Sequence, residues 1–146
     1  MIKRLIVTLM FMSLLLNFKA YASPLDVRDS AINGGDISSH LGNSLGNFKT
    51  TGYCSCPICN GEWYGHPTKL GTGYTEDLTI AVDPSYIPLG AYVWINIQGI
   101  GWRLYQAQDI GSAIRGNRID IYVGDNHSKC TLGRYNNITD VRAYIP

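Results

Sequence analysis

Asp109 and Asp120 bracket the stretch "IGSAIRG" (110–116) inside "QDIGSAIRGNRIDIY" (108–122). Two carboxyls at the ends of one short loop are a pattern for proton transfer, provided their surroundings drive their pKa values apart. Gly111 and Gly116 permit tight turns and close approach of a ligand to backbone. Ser112 adds a hydroxyl, and Arg115 could pin an oxygen-rich ligand or stand in solvent. The residues alone leave both readings of the loop open.

The flanking segments must position these carboxyls, and both alternate as strands do. In 117–123, Ile119, Ile121 and Val123 share one face and Arg118, Asp120 and Tyr122 the other. In 101–109, Trp102 and Leu104 share a face opposite Arg103, Tyr105 and Asp109. Each aspartate thus lies away from its strand's apolar stripe, either facing solvent or lining a groove with Tyr105 and Tyr122. Further β-rich runs, broken by Gly, Pro and Asn, cover 47–54, 78–83, 91–98 and 140–145. The run "AYVWINIQ" is apolar on both faces, which predicts a central strand. About six strands predict an all-β domain, a small closed barrel or sandwich.

The chain has 146 residues, enough for one domain. Residues 1–22 read as a signal peptide: Lys3 and Arg4, the apolar run "LIVTLMFMSLLL", then "AYA". That run is short for a bilayer span, so no stable membrane insertion is expected after cleavage. Residues 23–46, with five Ser, four Gly and no aromatic, read as a flexible leader, and 47–146 as the folded domain. Without residues 1–22 the net charge is −2, which gives no electrostatic case for nucleic acid.

Four cysteines in an exported chain predict disulfides. Cys54, Cys56 and Cys59 cluster in "CSCPIC", and Cys130 is expected to tie to one of them. Four cysteines allow three pairings, which the sequence does not choose between. A four-thiolate zinc site is the alternative, and no cofactor or metal is otherwise expected. His66 and His127 have no partner at recognisable ligand spacing. Tyr53, Trp63 and Tyr64 flank the cluster, available for stacking on sugar rings or for packing.

"AVDPSYIPLG" (81–90) followed by "QDIGSAIRGNRIDIY" (108–122) resembles the three-aspartate (3D) domain of bacterial cell-wall proteins. The likeness is to the stationary-phase survival muralytic factors and the core of membrane-bound lytic transglycosylase A. "TGYCSCPICNG" (51–61) and "GDNHSKCTLGRYNNITDVRAYI" (124–145) extend it over roughly 47–146. The family's three aspartates fall on Asp83, Asp109 and Asp120.

The resemblance implies a six-stranded double-psi β-barrel. It also implies a secreted or wall-associated enzyme, expected to be monomeric, that acts on peptidoglycan glycan strands. Such an enzyme cleaves the β-1,4 bond between N-acetylmuramic acid and N-acetylglucosamine without water, leaving a 1,6-anhydro product. By position Asp120 would be the single acid/base, with Asp109 as its ionised neighbour raising its pKa. Asp83 would be site wall or loop brace, and Gly111, Ser112, Arg115 and Tyr53 would contact substrate. Where the family usually reads Asp-Thr-Gly-Gly-Ala-Ile, this chain has Ile110 and Ser112. Those departures lend weight to the alternative of a non-catalytic wall-binding module.

Overall fold

The computed structural model describes residues 22–130 and 135–146. The segment 1–21, which carries almost all of the expected signal peptide, lies outside the described residues. None of the described helices is long and apolar enough to cross a membrane.

Six strands form the body: β1 (Leu41–Tyr53), β2 (Thr79–Ala81), β3 (Tyr92–Ile97), β4 (Gly101–Asp109), β5 (Arg118–Tyr122) and β6 (Asn137–Tyr144). They close into a ring in the order β1-β5-β2-β4-β3-β6, with β6 back against β1. The β1·β5 and β2·β4 pairings are parallel and the others antiparallel. Closure leaves no strand edge in the ring, which removes the aggregation liability of open sheets.

Period-2 alternation fills the interior. Phe48, Ile80, Val82, Val93, Ile95, Tyr105, Ala107, Ile119, Ile121 and Val141 are buried in one cluster. Tyr105, read as a groove residue from alternation, belongs to this core at 1 % exposure. The β3 run is buried on both faces as its composition predicts, with Val93 inside the ring and Trp94 outside it.

Residues 23–46, read as a flexible leader, hold ordered structure instead. α1 (Pro24–Ile32) begins with Ser23 as N-cap, Pro24 in the first turn and a reciprocal Ser23–Asp26 capping box. Val27 and Ala31, four positions apart, share one helix face. They pack on Trp94 and Leu104 outside the barrel wall. A 3₁₀ turn, Ser38–His40, leads into β1, and the Trp94 indole N–H donates to His40 O at 2.8 Å. The apolar outer stripe of β3 and β4 needs a cover, and the polar-looking leader supplies it.

If α1 covers that stripe, Leu104→Ala leaves a cavity between helix and wall. Truncation of this fully buried leucine is expected to cost about 2–5 kcal/mol. Urea unfolding followed by far-UV circular dichroism checks this; an unchanged midpoint would mean the helix does not seal the wall.

Candidate active site

β2 runs between β5 and β4, and its Ala81 is the register partner of both Asp120 and Asp109. The two aspartates therefore sit on the two neighbours of one short strand, two strand spacings or about 10 Å apart between backbones. Ile80 and Val82 point into the core, so Ala81 points outward with the carboxyls on either side. The Ala81 side chain on the strand between them is buried, at 4 % exposure.

The β4 side of this arrangement depends on an irregularity. Ile80 pairs with Ala107 but Ala81 with Asp109, so Gln108 is an extra residue in β4. Such a bulge re-aims the side chain that follows it. Gln108 is itself buried, accepting from Thr79 Oγ1 at 2.6 Å and donating to Gln106 Oε1 at 2.8 Å.

Asp120 is half-buried in the outer wall. Its Oδ1 accepts from Thr51 Oγ1 at 2.7 Å, its register partner on β1. Burial raises its pKa above the usual carboxyl value, while the Thr51 hydroxyl and the nearby Arg118 guanidinium pull the other way. Burial, rather than the expected charge of Asp109, is thus the leading cause. Arg118 lies two residues before Asp120 on the same face, and its buried Nε has no hydrogen-bond partner among the described residues.

Asp109 is held as an acceptor. Lys69 N donates to its Oδ1 at 2.9 Å, and Tyr53 OH approaches its Oδ2 at 3.4 Å. Tyr74, which sequence reasoning missed, also lies near Asp109: burial and then the Asp109 carboxyl raise its phenol pKa. Tyr53 feels the charges of both Asp109 and Asp120, and burial drives its phenol pKa far upward. The two carboxyls therefore share one tyrosine. Tyr53, Tyr74 and Tyr122 form a ring cluster with centroids 5.2–6.1 Å apart. The Tyr122 phenol, pushed up to about 12 chiefly by burial, bonds Ser55 Oγ and Asp125.

The remaining residues named from sequence separate into bracing and surface. Asp83 accepts from Ser85 N at 3.0 Å, Ser85 Oγ at 2.6 Å and Gly116 N at 2.9 Å, which hold its carboxyl down to about 2. It ties the turn after β2 to the loop before β5. Gly116 has φ +62, a left-handed conformation that glycine adopts without strain. Arg115 folds back, donating to Gly111 O and Ile114 O, both at 2.9 Å. A Cβ on Gly111 would stand 2.8 Å from Ile114 Cγ1, so packing within the loop accounts for that glycine. Ser112 and Ile110 are exposed.

Next to the tyrosine cluster lies a cleft of about 400 Å³, bordered by Ser55, Tyr64, His66, Tyr74 and Asp125. Of its lining, Tyr64 is largely exposed, as is the neighbouring Trp63. All four cysteines are free thiols, not the expected disulfides. Their close sulfur pairs span 3.1–3.8 Å, against about 2.05 Å for a disulfide. His127, which lacked a partner in the sequence, has Nδ1 3.4–3.9 Å from all four sulfurs. The chain segment after β5 brings it there.

Residues 78–144 match the family model of the 3D domain. Over this stretch the chain is similar to the 3D domain. All three aspartates fall inside the matched residues, whereas "CSCPIC" precedes them. The putative cell wall shaping protein YabE of Bacillus subtilis is 35% identical over 104 residues, covering 66% of this chain and 23% of YabE. The cell wall-binding protein YocH of the same organism is 48% identical over 44 residues, covering 30% of this chain and 14% of YocH. The chain thus spans under a quarter of the length of either relative. Among solved structures, MltA from E. coli is similar with 25% identity and a TM-score of 0.47, over 53% of this chain and 27% of MltA.

The half-buried carboxyl at position 120 makes a stability test possible. A carboxyl whose folded pKa is raised binds its proton more tightly folded than unfolded. Stability therefore falls as pH rises from about 4 through the raised value, and is flat above it. Asp120→Asn removes the buried charge and is expected to flatten that fall, its advantage in Tm growing with pH across the window. Parallel Tm-against-pH profiles for the two proteins would contradict the raised pKa.

Proposed function

We propose that this 3D-domain protein is an exported peptidoglycan lytic transglycosylase with Asp120 as its acid/base. The observation that carries the reading is a half-buried carboxyl, Asp120, two strands from Asp109, whose neighbour Tyr53 packs against the Tyr74 that borders the cleft. The wall-related names of YabE and YocH support a cell-wall substrate. The two parallel pairings, β1·β5 and β2·β4, support a double-psi arrangement of the ring.

In this reading Asp120 starts protonated and gives its proton to the glycosidic oxygen between N-acetylmuramic acid and N-acetylglucosamine. The C1–O bond breaks and positive charge develops at the anomeric carbon. Asp109, held by Lys69 N and Tyr53, faces that charge. Asp120, now a carboxylate, takes the proton of the muramyl 6-hydroxyl, whose oxygen closes on C1 to give the 1,6-anhydro sugar. One group acts as acid and then base, where hydrolytic glycosidases divide the work between two carboxyls. Desolvation beneath the sugar raises the Asp120 pKa further. Asp83 and Arg115 brace the loops, and Tyr53 joins the carboxyls to the cleft.

A second reading, a wall-binding module that does not cut, draws on the name of YocH and on Ile110, 39 % exposed beside Asp109 where the family carries a hydroxyl. Sacculi incubated with the protein distinguish the two: the enzyme releases anhydro-muropeptides detectable by mass spectrometry, whereas the module is retained on sacculi without product.

Asp120→Asn is expected to slow release by about 10²–10⁴-fold, the usual worth of a general acid or base. An unchanged rate removes Asp120 from the role. Ala81→Leu is expected to crowd the buried strand position between the carboxyls and slow release by about 10²-fold, the scale of a misplaced substrate. The circular dichroism spectrum should remain that of the parent. Full activity with leucine at 81 would show that substrate does not lie between the two aspartates.

A further inference from the structure

Three thiols and one imidazole converge beyond the tyrosine cluster. The sulfurs of Cys54, Cys59 and Cys130 and Nδ1 of His127 all lie within 4.8 Å of one another. The sulfur pairs are 3.4 Å (Cys54–Cys59), 3.5 Å (Cys59–Cys130) and 3.8 Å (Cys54–Cys130) apart. His127 Nδ1 stands 3.9, 3.5 and 3.5 Å from Cys54, Cys59 and Cys130. A tetrahedral zinc ion with Zn–S near 2.3 Å and Zn–N near 2.05 Å sets S···S edges of about 3.8 Å and S···N edges of about 3.6 Å. All six observed edges fall within about 0.4 Å of those values.

We propose that Cys54, Cys59, His127 and Cys130 form a structural zinc site. A disulfide would single out one sulfur pair, whereas these three sulfurs are nearly equidistant. Soft thiolates with one imidazole suit zinc. Three thiols lose their protons on binding, so the filled site carries net charge −1. Four protein ligands leave no open position, which makes the site structural rather than catalytic.

The sequence builds it from two short turns. α2 (Pro57–Asn60) starts at Pro57 and folds Cys59 back towards Cys54, with Asn60 N and Cys59 N donating to Cys56 O. Asn60 Nδ2 donates to Cys54 O at 3.0 Å. α3 (His127–Cys130) places His127 and Cys130 one turn apart on one face. Cys56 lies 3.1 Å from Cys54 Sγ and 3.4 Å from His127 Nδ1 but outside the mutually close set, so it flanks the ion rather than binding it. The filled site fastens the end of β1, which carries Tyr53, to the segment after β5, which carries Tyr122.

The test uses the full chain purified without chelator or reductant. One zinc per chain by elemental analysis is expected, with four titratable thiols after denaturation in chelator. Replacement of zinc by cobalt(II) should give thiolate-to-metal charge-transfer absorption and visible bands of tetrahedral cobalt, a readout that needs no variant to fold. Cys56→Ser should keep one zinc per chain and those bands, whereas His127→Ala and Cys59→Ser should lose stoichiometric zinc. The proposal is overturned by metal-free protein with its cysteines paired as disulfides, by a cobalt spectrum without charge-transfer bands, or by Cys56→Ser losing zinc as fully as Cys59→Ser.

Discussion

The placement of β5 between a parallel neighbour and an antiparallel one sets the surroundings of Asp120. Pairing with β1 sets Thr51 beside Asp120 and Tyr53 beside Tyr122. Pairing with β2 sets Ala81 beside Asp120 on the other side. The inward residues Ile119 and Ile121 fix which face each side chain takes, and a shift of one residue would turn Asp120 into the apolar core. The carboxyl thus owes its partly desolvated position to hydrophobic register. That desolvation sets the direction of its pKa against the pull of Thr51 and Arg118.

The second carboxyl reaches the site by a different device. Plain alternation along β4 would continue the pattern of Tyr105 and Ala107, both in the core. The extra residue Gln108 breaks that phase, and its amide is satisfied by Thr79 and Gln106, so the bulge buries no orphan polar group. Asp83 and Gly116 then bind the loop between the strands to the turn after β2. Of three aspartates of similar appearance in the sequence, one thus braces loops while two flank the short strand β2.

What could be read from the sequence follows from what local pattern encodes. Period-2 runs marked six strands to within a few residues, except that β1 begins at Leu41, where "LGNSLG" has no strand-like composition. The outward face of Asp120 was legible because β5 is regular; that of Tyr105 was misjudged because Leu104 and Trp102, which suggested an apolar inner stripe, face the cover helix. α1 was hidden by polar composition, since only Val27 and Ala31 are buried, although Ser23 and Asp26 carried a capping signal. Tyr74 lies in a loop without periodicity, and the meeting of His127 with Cys54 and Cys59 arises from tertiary closure over more than sixty residues. The closing of the ring, the bulge and these long-range contacts are properties of the assembled fold.

The central claim is that burial holds the Asp120 carboxyl above its ordinary pKa, beside a carboxylate two strands away. Carbon-13 NMR titration of the Asp120 carboxyl in the folded protein measures this directly, in the native chain and in Asp109→Asn. The account expects a midpoint clearly above 3.8, the ordinary value, that remains raised when the neighbouring charge is removed. A midpoint at or below 3.8 in the native chain would contradict it.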